Sequence, residues 1–72
     1  MKKYYIEMCW YPSNGENYVL QSRWFDTEEQ AVQWAHQISW LSDNLDAYLM
    51  SAEWNVAEDC YGDIIQERLL DI

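Results

Sequence analysis

The sequence predicts a single α+β domain with the order β-β-α-β-β: a four-stranded antiparallel sheet with one helix packed on one face. Three observations support this prediction. Apolar and polar residues alternate near both ends of the 72-residue chain, a helix-start signal lies between these segments, and turn signals separate the strands. At this length about 60% of the unfolded chain's surface can be buried, so residues 1–72 form one small domain. Five Trp and six Tyr side chains argue against disorder despite a formal charge of −9.

Residues 3–11 and 17–25 predict the two strands of the first hairpin. The period-2 pattern of residues 3–11 places one uncharged set toward the core and a second set on the other face. The core set is Tyr4, Ile6, Met8 and Trp10, and the other set is Tyr5, Glu7, Cys9 and Tyr11. Residues 12–15, with the sequence Pro-Ser-Asn-Gly, predict a turn. A second strand is predicted over residues 17–25, with Gln21 and Arg23 on its polar side.

The helix is predicted to begin at residues 26–30. Thr27 can cap the helix, Gln30 completes a capping box, and Glu28 and Glu29 suit the positive end of the helix dipole. An apolar stripe at helical spacing then predicts the face that packs on the sheet. It comprises Ala31, Trp34, Ala35, Ile38 and Leu41. Asp43 and Asn44 favour a turn, so the helix is expected to end near residue 42.

Residues 47–70 predict the second hairpin. Residues 47–56 alternate as a third strand, and the apolar set is expected to face the core. This set is Tyr48, Met50, Ala52, Trp54 and Val56. Residues 58–63 predict a loop, and residues 64–70 a fourth strand that begins with β-branched Ile64 and Ile65. Residues 66–68 also fit a short helix.

One helix covers only one face of such a sheet, so the opposite face meets water or a partner. Tyr5, Cys9 and Tyr11 are expected there, together with either Val19 and Phe25 or Tyr18 and Trp24. Either loops and chain ends cover these rings, or the face is a partner or dimer interface, because contiguous exposed apolar patches mark interaction sites.

Charge is the most informative feature for function. Residues 24–67 contain no Lys and no Arg, and the same 44 positions hold ten carboxylates. They are Asp26, Glu28, Glu29, Asp43, Asp46, Glu53, Glu58, Asp59, Asp63 and Glu67. A surface of one sign attracts cationic partners and repels anionic ones. We therefore expect a basic protein partner, with no direct nucleic-acid binding and no membrane binding.

Catalytic, cofactor and metal sites are not expected. His36 is the only histidine, and Cys9 and Cys60 are too far apart in sequence for a metal-ligand or redox pattern. Both cysteines are expected to be small buried or half-buried residues, although a disulfide between them stays open if the protein is exported. The acidic segments 43–46 and 58–63 lack the ligand spacing of a calcium loop. No segment resembles a signal peptide or a membrane helix, which predicts a cytoplasmic location.

The acidic surface favours mimicry of a phosphate backbone. Duplex DNA carries about one charge per 1.7 Å of axis, and a protein groove built for it can accept spaced carboxylates instead. In size and charge the chain resembles the DNA-mimic inhibitors of phages and mobile elements, including anti-restriction and anti-CRISPR proteins. The resemblance is one of composition and implies binding and inhibition of a nucleic-acid-handling protein. The predicted partner-binding carboxylates are Glu28, Glu29, Asp43, Asp46, Glu53, Glu58, Asp59 and Asp63.

The alternative is an acidic interaction module that binds a partner protein, or a second copy as a homodimer, through the uncovered aromatic sheet face. Tyr5 and Tyr11 would then supply affinity, and the negative charge would supply solubility. The two hypotheses differ in their response to salt, because screening weakens exposed charge contacts and has little effect on apolar ones.

Overall fold

The computed structural model describes residues 1–13, 15–38 and 45–70. The elements are β1 (Lys2–Trp10), β2 (Tyr18–Gln21), α1 (Glu28–Ile38), β3 (Leu45–Asn55), β4 (Cys60–Tyr61) and β5 (Ile65–Leu69). They form an antiparallel sheet in the order β2-β1-β3-β4, and β5 also pairs with β3. The predicted α+β fold with one helix and a predominantly four-stranded antiparallel sheet is therefore confirmed. Residues 65–69 form the strand rather than the helix, and the short β4 lies within the predicted loop.

The centre of the sheet is the long antiparallel pair of β1 and β3. Its register runs from Lys2 opposite Glu53 to Trp10 opposite Leu45. Residues that lie directly opposite each other share a face, so fully buried Ile6 packs beside fully buried Leu49. The core on this face also contains Met8, Phe25, Ala31, Ala35, Ala47 and Leu70, with Tyr4, Val32, Trp34, Ile38 and Leu45 packed at its margin.

The predicted core side of the third strand was wrong. Leu45, Ala47 and Leu49 face the helix, whereas the expected set that includes Tyr48 and Met50 lies on the opposite face. The reason is that β3 is buried on both faces, so alternation does not identify the face that meets the helix. Expected core members at the strand ends are also exposed: Trp10 on β1, and Val56 in the turn after β3.

A register shift separates β2 from the segment that follows it. Glu7 pairs with Gln21, whereas Tyr4 pairs with Phe25, so residues 22–24 oppose only residues 5–6. Ser22 anchors this bulge: its amide donates to the Ile6 carbonyl oxygen at 2.9 Å, and its Oγ accepts from the Ile6 amide at 2.8 Å. The strand was predicted to extend to residue 25, but the regular strand ends at Gln21 because of this bulge.

The extra residue in the bulge changes which side chains share a face. Val19 lies opposite Cys9, and Trp24 contacts Tyr5, so both are on the face away from the helix. Phe25 instead joins the core under the helix. Two alternative pairs were expected on the face away from the helix. In the pair Val19 and Phe25 only Val19 lies there, and in the pair Tyr18 and Trp24 only Trp24 lies there.

Four aromatic rings cover the other face at the end of the sheet near β4. Trp24 stacks on Tyr61 with ring centroids 3.9 Å apart, and Tyr5 and Trp54 approach this stack edge-on, each at 4.7 Å. We call Tyr5, Trp24, Trp54 and Tyr61 the ring cluster. Met50, opposite Tyr5, is buried on the same face. The ring cluster is thus a second core, and it closes this part of the face that the sequence left open.

Position at the sheet edge explains the state of the cysteines. Cys60 is exposed rather than buried, because β4 is only two residues long and pairs with the end of β3. Its thiol donates to a Glu58 carboxylate oxygen at 3.8 Å. Cys9 is half-buried on β1, and both thiols are free.

The start of α1 agrees with the prediction. The helix begins at Glu28, and Thr27 Oγ1 accepts a hydrogen bond from the Gln30 amide at 3.2 Å, as an N-cap residue does. Ala31 and Ala35 of the apolar stripe are fully buried. The predicted helix end near residue 42, and with it Leu41, lies outside the described residues.

Replacing Thr27 by alanine should lower the free energy of unfolding by about 1 kcal/mol, because the Gln30 amide loses its acceptor. Urea denaturation followed by circular dichroism measures this difference. Thr27→Ser keeps the hydroxyl and is the matched control. An alanine variant as stable as the serine variant would contradict the capping role.

Candidate protein-binding surface

The basic groups of the chain are used in contacts within the molecule. Four ion pairs each join a basic group outside residues 24–67 to a carboxylate inside that segment. The pairs are the Met1 amine with Glu53 at 3.0 Å, Lys2 with Glu67 at 2.9 Å, Lys3 with Asp26, and Arg68 with Glu28. The fold therefore brings the basic ends of the chain onto its acidic middle.

Arg23 is the remaining basic residue, and it also has an internal contact. Its guanidinium carbon lies 4.3 Å from the centroid of the Phe25 ring, within the range of a cation–π interaction. All four Lys and Arg side chains thus contact groups of the same chain.

Five of the predicted binding carboxylates have no ion pair in the described part of the chain. They are Glu29, Asp46, Glu58, Asp59 and Asp63, all exposed. Glu29 lies in the first turn of α1, and Asp46 near the start of β3. Glu58 and Asp59 lie in the β3–β4 turn, and Asp63 lies between β4 and β5. Of the other predicted sites, Glu28 and Glu53 are held in ion pairs, and Asp43 lies outside the described residues.

Hydrogen bonds hold the β3–β4 turn in a defined conformation. The Asn55 side-chain oxygen accepts from the amides of Ala57 and Glu58 at 3.0 and 3.2 Å, which closes the turn. Asp59 has a φ of 53°, the left-handed conformation that Asp tolerates better than most residues. The carboxylates of Glu58 and Asp59 therefore project from a defined turn at one end of the molecule.

The two tyrosines predicted to bind a partner differ in access. Tyr5 is only 4% exposed, because Trp24 covers it, and burial raises the pKa of its phenol. Tyr11 is exposed after the end of β1. Desolvation and the nearby Cys9 and Asp46 raise the pKa of the Tyr11 phenol. Tyr11 and Asp46 thus lie close together, whereas Tyr5 belongs to the ring cluster and offers little surface to a partner.

The Glu67 carboxylate takes part in a hydrogen-bond network that holds strands of the sheet together. Glu67 Oε1 accepts from the hydroxyl of fully buried Ser51 at 2.5 Å and from Lys2 Nζ at 2.9 Å. The Ser51 hydrogen bond and the ion pair with Lys2 lower the pKa of the Glu67 carboxyl. The hydrogen bond to Glu67 also raises the pKa of Lys2.

Because its pKa is lowered on folding, Glu67 should stabilise the fold above its ordinary pKa of 4.5, and this contribution should disappear as the pH falls through the lowered value. Glu67→Gln should therefore show a lower Tm at neutral pH and a smaller drop in Tm between about pH 6 and about pH 3. Scanning calorimetry measures both quantities. Glu29→Gln is the control, and an equal drop in all three proteins would contradict the network's role.

Sequence reasoning identified only part of the exposed apolar surface near β2: it expected Tyr11, with Val19 or Tyr18, on a possible partner face, and it missed Trp10 and Leu20. We call Trp10, Tyr11, Tyr18, Val19 and Leu20 the edge strip; each is exposed, and the Trp10 and Tyr18 ring centroids are 5.5 Å apart. Because α1 packs against β1 and β3, it leaves the helix-side members Trp10, Tyr18 and Leu20 uncovered. The uncharged run of residues 17–22 in so acidic a chain was the signal that could have identified it.

No protein-family model matches the chain, and neither a curated protein nor a solved structure matches it. Among residues 1–13, 15–38 and 45–70, no three His, Cys, Asp or Glu side chains are grouped so that they could hold a metal ion. In the same residues, no helix is both long and apolar enough to cross a membrane.

Proposed function

We propose that this protein is a non-enzymatic binding protein that captures, and thereby inhibits, a basic protein of the class that handles nucleic acids. The observation that carries the proposal is the internal use of the chain's basic groups. Lys2, Lys3 and Arg68 each pair with a carboxylate of the same molecule, so the carboxylates without an ion pair carry most of the net negative charge. An approaching cationic surface therefore meets a predominantly negative field.

The positions of the unpaired carboxylates suit a partner with an extended basic groove. Asp46 and the β3–β4 turn lie toward opposite ends of β3, which at ~3.3 Å per residue places them roughly 30 Å apart. That distance corresponds to about nine base pairs of duplex DNA at 3.4 Å each. The molecule is also elongated, with principal extents of 45 × 23 × 17 Å. A groove that follows one turn of duplex could thus contact both ends of the molecule.

The test is capture from a lysate of the native host on the immobilised protein, at roughly 50 mM and roughly 500 mM salt. We expect a basic partner that is retained at low salt, released at high salt, and displaced by a competing DNA duplex. Mass spectrometry identifies the partner.

A charge-neutralised variant supplies the specific comparison. Five isosteric changes, Glu29→Gln, Asp46→Asn, Glu58→Gln, Asp59→Asn and Asp63→Asn, reduce the formal charge from −9 to −4, since each removes one negative charge. This variant should lose the partner. The double variant Gln33→Asn and Gln37→Asn keeps the charge and should bind normally. A partner that the charge-neutralised variant retains at both salt concentrations would overturn the proposal.

The edge strip favours a second candidate, an acidic interaction module in which apolar contacts supply most of the affinity. Its exposed residues include Val19 at 61% and Leu20 at 49%. Binding of this kind would persist at high salt and would survive neutralisation of the five carboxylates. The same capture experiment therefore separates the two candidates.

A further inference from the structure

We infer that the basic partner docks by adding an extended segment of its own chain as a β-strand along the free edge of β2. This inference rests on the proposed capture of a basic protein and names the mode of docking. In such strand addition, backbone hydrogen bonds supply affinity, and alternate side chains supply specificity.

The backbone of β2 has unused hydrogen-bonding groups on its outer side. The Ser22 amide donates to the Ile6 carbonyl oxygen at 2.9 Å and so points toward β1. Hydrogen-bonding direction alternates along an antiparallel strand, so the amides of Val19 and Gln21 point away from β1. No described strand borders that side of β2. An added strand can therefore pair with these groups without disturbing the sheet.

Two of the outer strands of the sheet, β2 and β5, differ in how they are protected. In β5, Leu49 pairs with Arg68 while Met50 pairs with Gln66, which leaves Glu67 as an extra residue in a bulge. Charged residues and bulges are devices that prevent pairing at a sheet edge. The four residues of β2 contain no charge, no proline and no register shift among themselves. Of these two strands, β2 is the one open to strand addition.

Side chains on both faces of β2 can contact an added strand. Val19 lies on the face away from the helix, and Leu20 and Tyr18 lie on the helix side, where Trp10 extends the surface. Because side chains of an added strand also alternate, one set would pack beside Val19 and the other beside Leu20 and Tyr18. The edge strip thus provides apolar contacts for both sets.

Charge favours a basic segment over a second copy of this chain. Glu7, opposite Gln21, and Asp46, opposite Cys9, lie on the same face as Val19. Lys or Arg side chains on that face of an added strand can reach toward these carboxylates. Two copies of the chain would each bring a formal charge of −9 and would repel each other.

The test uses a capped synthetic peptide of about ten residues in which Val and Lys alternate, titrated into the isotope-labelled full chain. We expect hydrogen exchange at the Val19 and Gln21 amides to slow, while exchange at Leu20, already paired with β1, changes little. The same peptide N-methylated at alternate amides should lose this protection, and so should a peptide in which Val and Glu alternate.

Two proline variants compare the edges. Val19→Pro removes an outward amide and no hydrogen bond to β1, and it should weaken peptide binding by at least about tenfold. Leu69→Pro is the matched control: the Leu70 amide donates to Ala47 of β3, so the Leu69 amide points outward on the other edge. Leu69→Pro should bind the peptide normally. If Val19→Pro does not fold, the N-methylated peptide still provides the test.

Three outcomes would overturn strand addition. The first is peptide binding without protection of Val19 and Gln21, and the second is no peptide binding. The third is slow hydrogen exchange at the same two amides without peptide, in a way that depends on protein concentration. That result indicates that a second copy of the chain pairs with this edge. Lysate capture on the immobilised Val19→Pro variant distinguishes the two proposals. Suppose that a salt-sensitive partner binds Val19→Pro but does not bind the charge-neutralised variant. That result supports capture of a basic protein and excludes strand addition.

Discussion

Replacing Trp24 by alanine is expected to lower the free energy of unfolding by about 3 kcal/mol, near the lower limit for a core tryptophan because the side chain is only half-buried. Trp24 is the central ring of the ring cluster: it stacks on Tyr61 of β4 and covers Tyr5 of β1. Its loss removes aromatic contacts on two sides and exposes the buried face of Met50 and Tyr5 to water. The expected result is a loss of order at β4 and a much lower denaturation midpoint.

Trp10→Ala is the matched control for this experiment. Trp10 is 37% exposed and, among the described residues, has a single aromatic neighbour, Tyr18, so its removal should cost less than about 1 kcal/mol. Urea denaturation of both variants, followed by the fluorescence of the remaining tryptophans, measures the difference. Equal stability of the two variants would show that the ring cluster is not a second core.

Leu49→Ala should have an effect of about 3 kcal/mol or more. Leu49 is fully buried on the helix-facing side of β3, directly opposite fully buried Ile6, and the cavity cannot be filled from the solvent side. Small domains have total stabilities near the low end of about 5–15 kcal/mol, so this single change should leave a substantial unfolded fraction at 37 °C.

Leu69→Ala provides the comparison, because it is the same substitution at an exposed position of a neighbouring strand. It should change stability by no more than about 0.5 kcal/mol. Calorimetry and the dispersion of amide signals in NMR spectra measure both variants. A Leu49→Ala protein as stable as Leu69→Ala would contradict the position assigned to the helix-facing core.

Local chemistry explains which elements could be predicted from the sequence. The start of α1 depends on Thr27 and its neighbours alone, and the turn between β1 and β2 depends on residues 12–15, so both follow from short-range preferences. The strand assignment of residues 65–69 followed from β-branched residues after a turn. These features do not require knowledge of the rest of the fold.

The core face of β3 could not be predicted in the same way, although that of β1 was predicted correctly for Tyr4, Ile6 and Met8. Both residue sets of β3 are buried, one under α1 and the other under the ring cluster, so hydrophobicity gave no unique answer. The polar residues Ser51, Glu53 and Asn55 made the correct set look exposed. Ser51 is in fact fully buried because its hydroxyl donates to Glu67, a partner sixteen residues away in sequence. β4 was missed because it is only two residues long, Cys60 and Tyr61, and lies between residues typical of turns.

The candidate binding surface was predictable in its charge and in the exposure of Tyr11, but not in which carboxylates remain without an ion pair. Composition identifies the carboxylates, but pairing of Glu28 with Arg68 and of Glu53 with the Met1 amine depends on which strands become neighbours. The edge strip likewise depends on which strand becomes the sheet edge and, on the helix side, on the extent of the surface that α1 covers. Its exposure is therefore a property of the assembled domain.

The bulge at residues 22–24 makes the two cores interdependent. It sets the phase of the chain so that consecutive rings, Trp24 and Phe25, enter opposite cores. With regular pairing beyond Gln21, Trp24 would instead lie opposite Tyr4 and Phe25 opposite Lys3, so each ring would enter the wrong core. The offset of one residue between Gln21 and Phe25 therefore lets two consecutive residues serve both cores, and this short segment acts as the shared joint of the molecule.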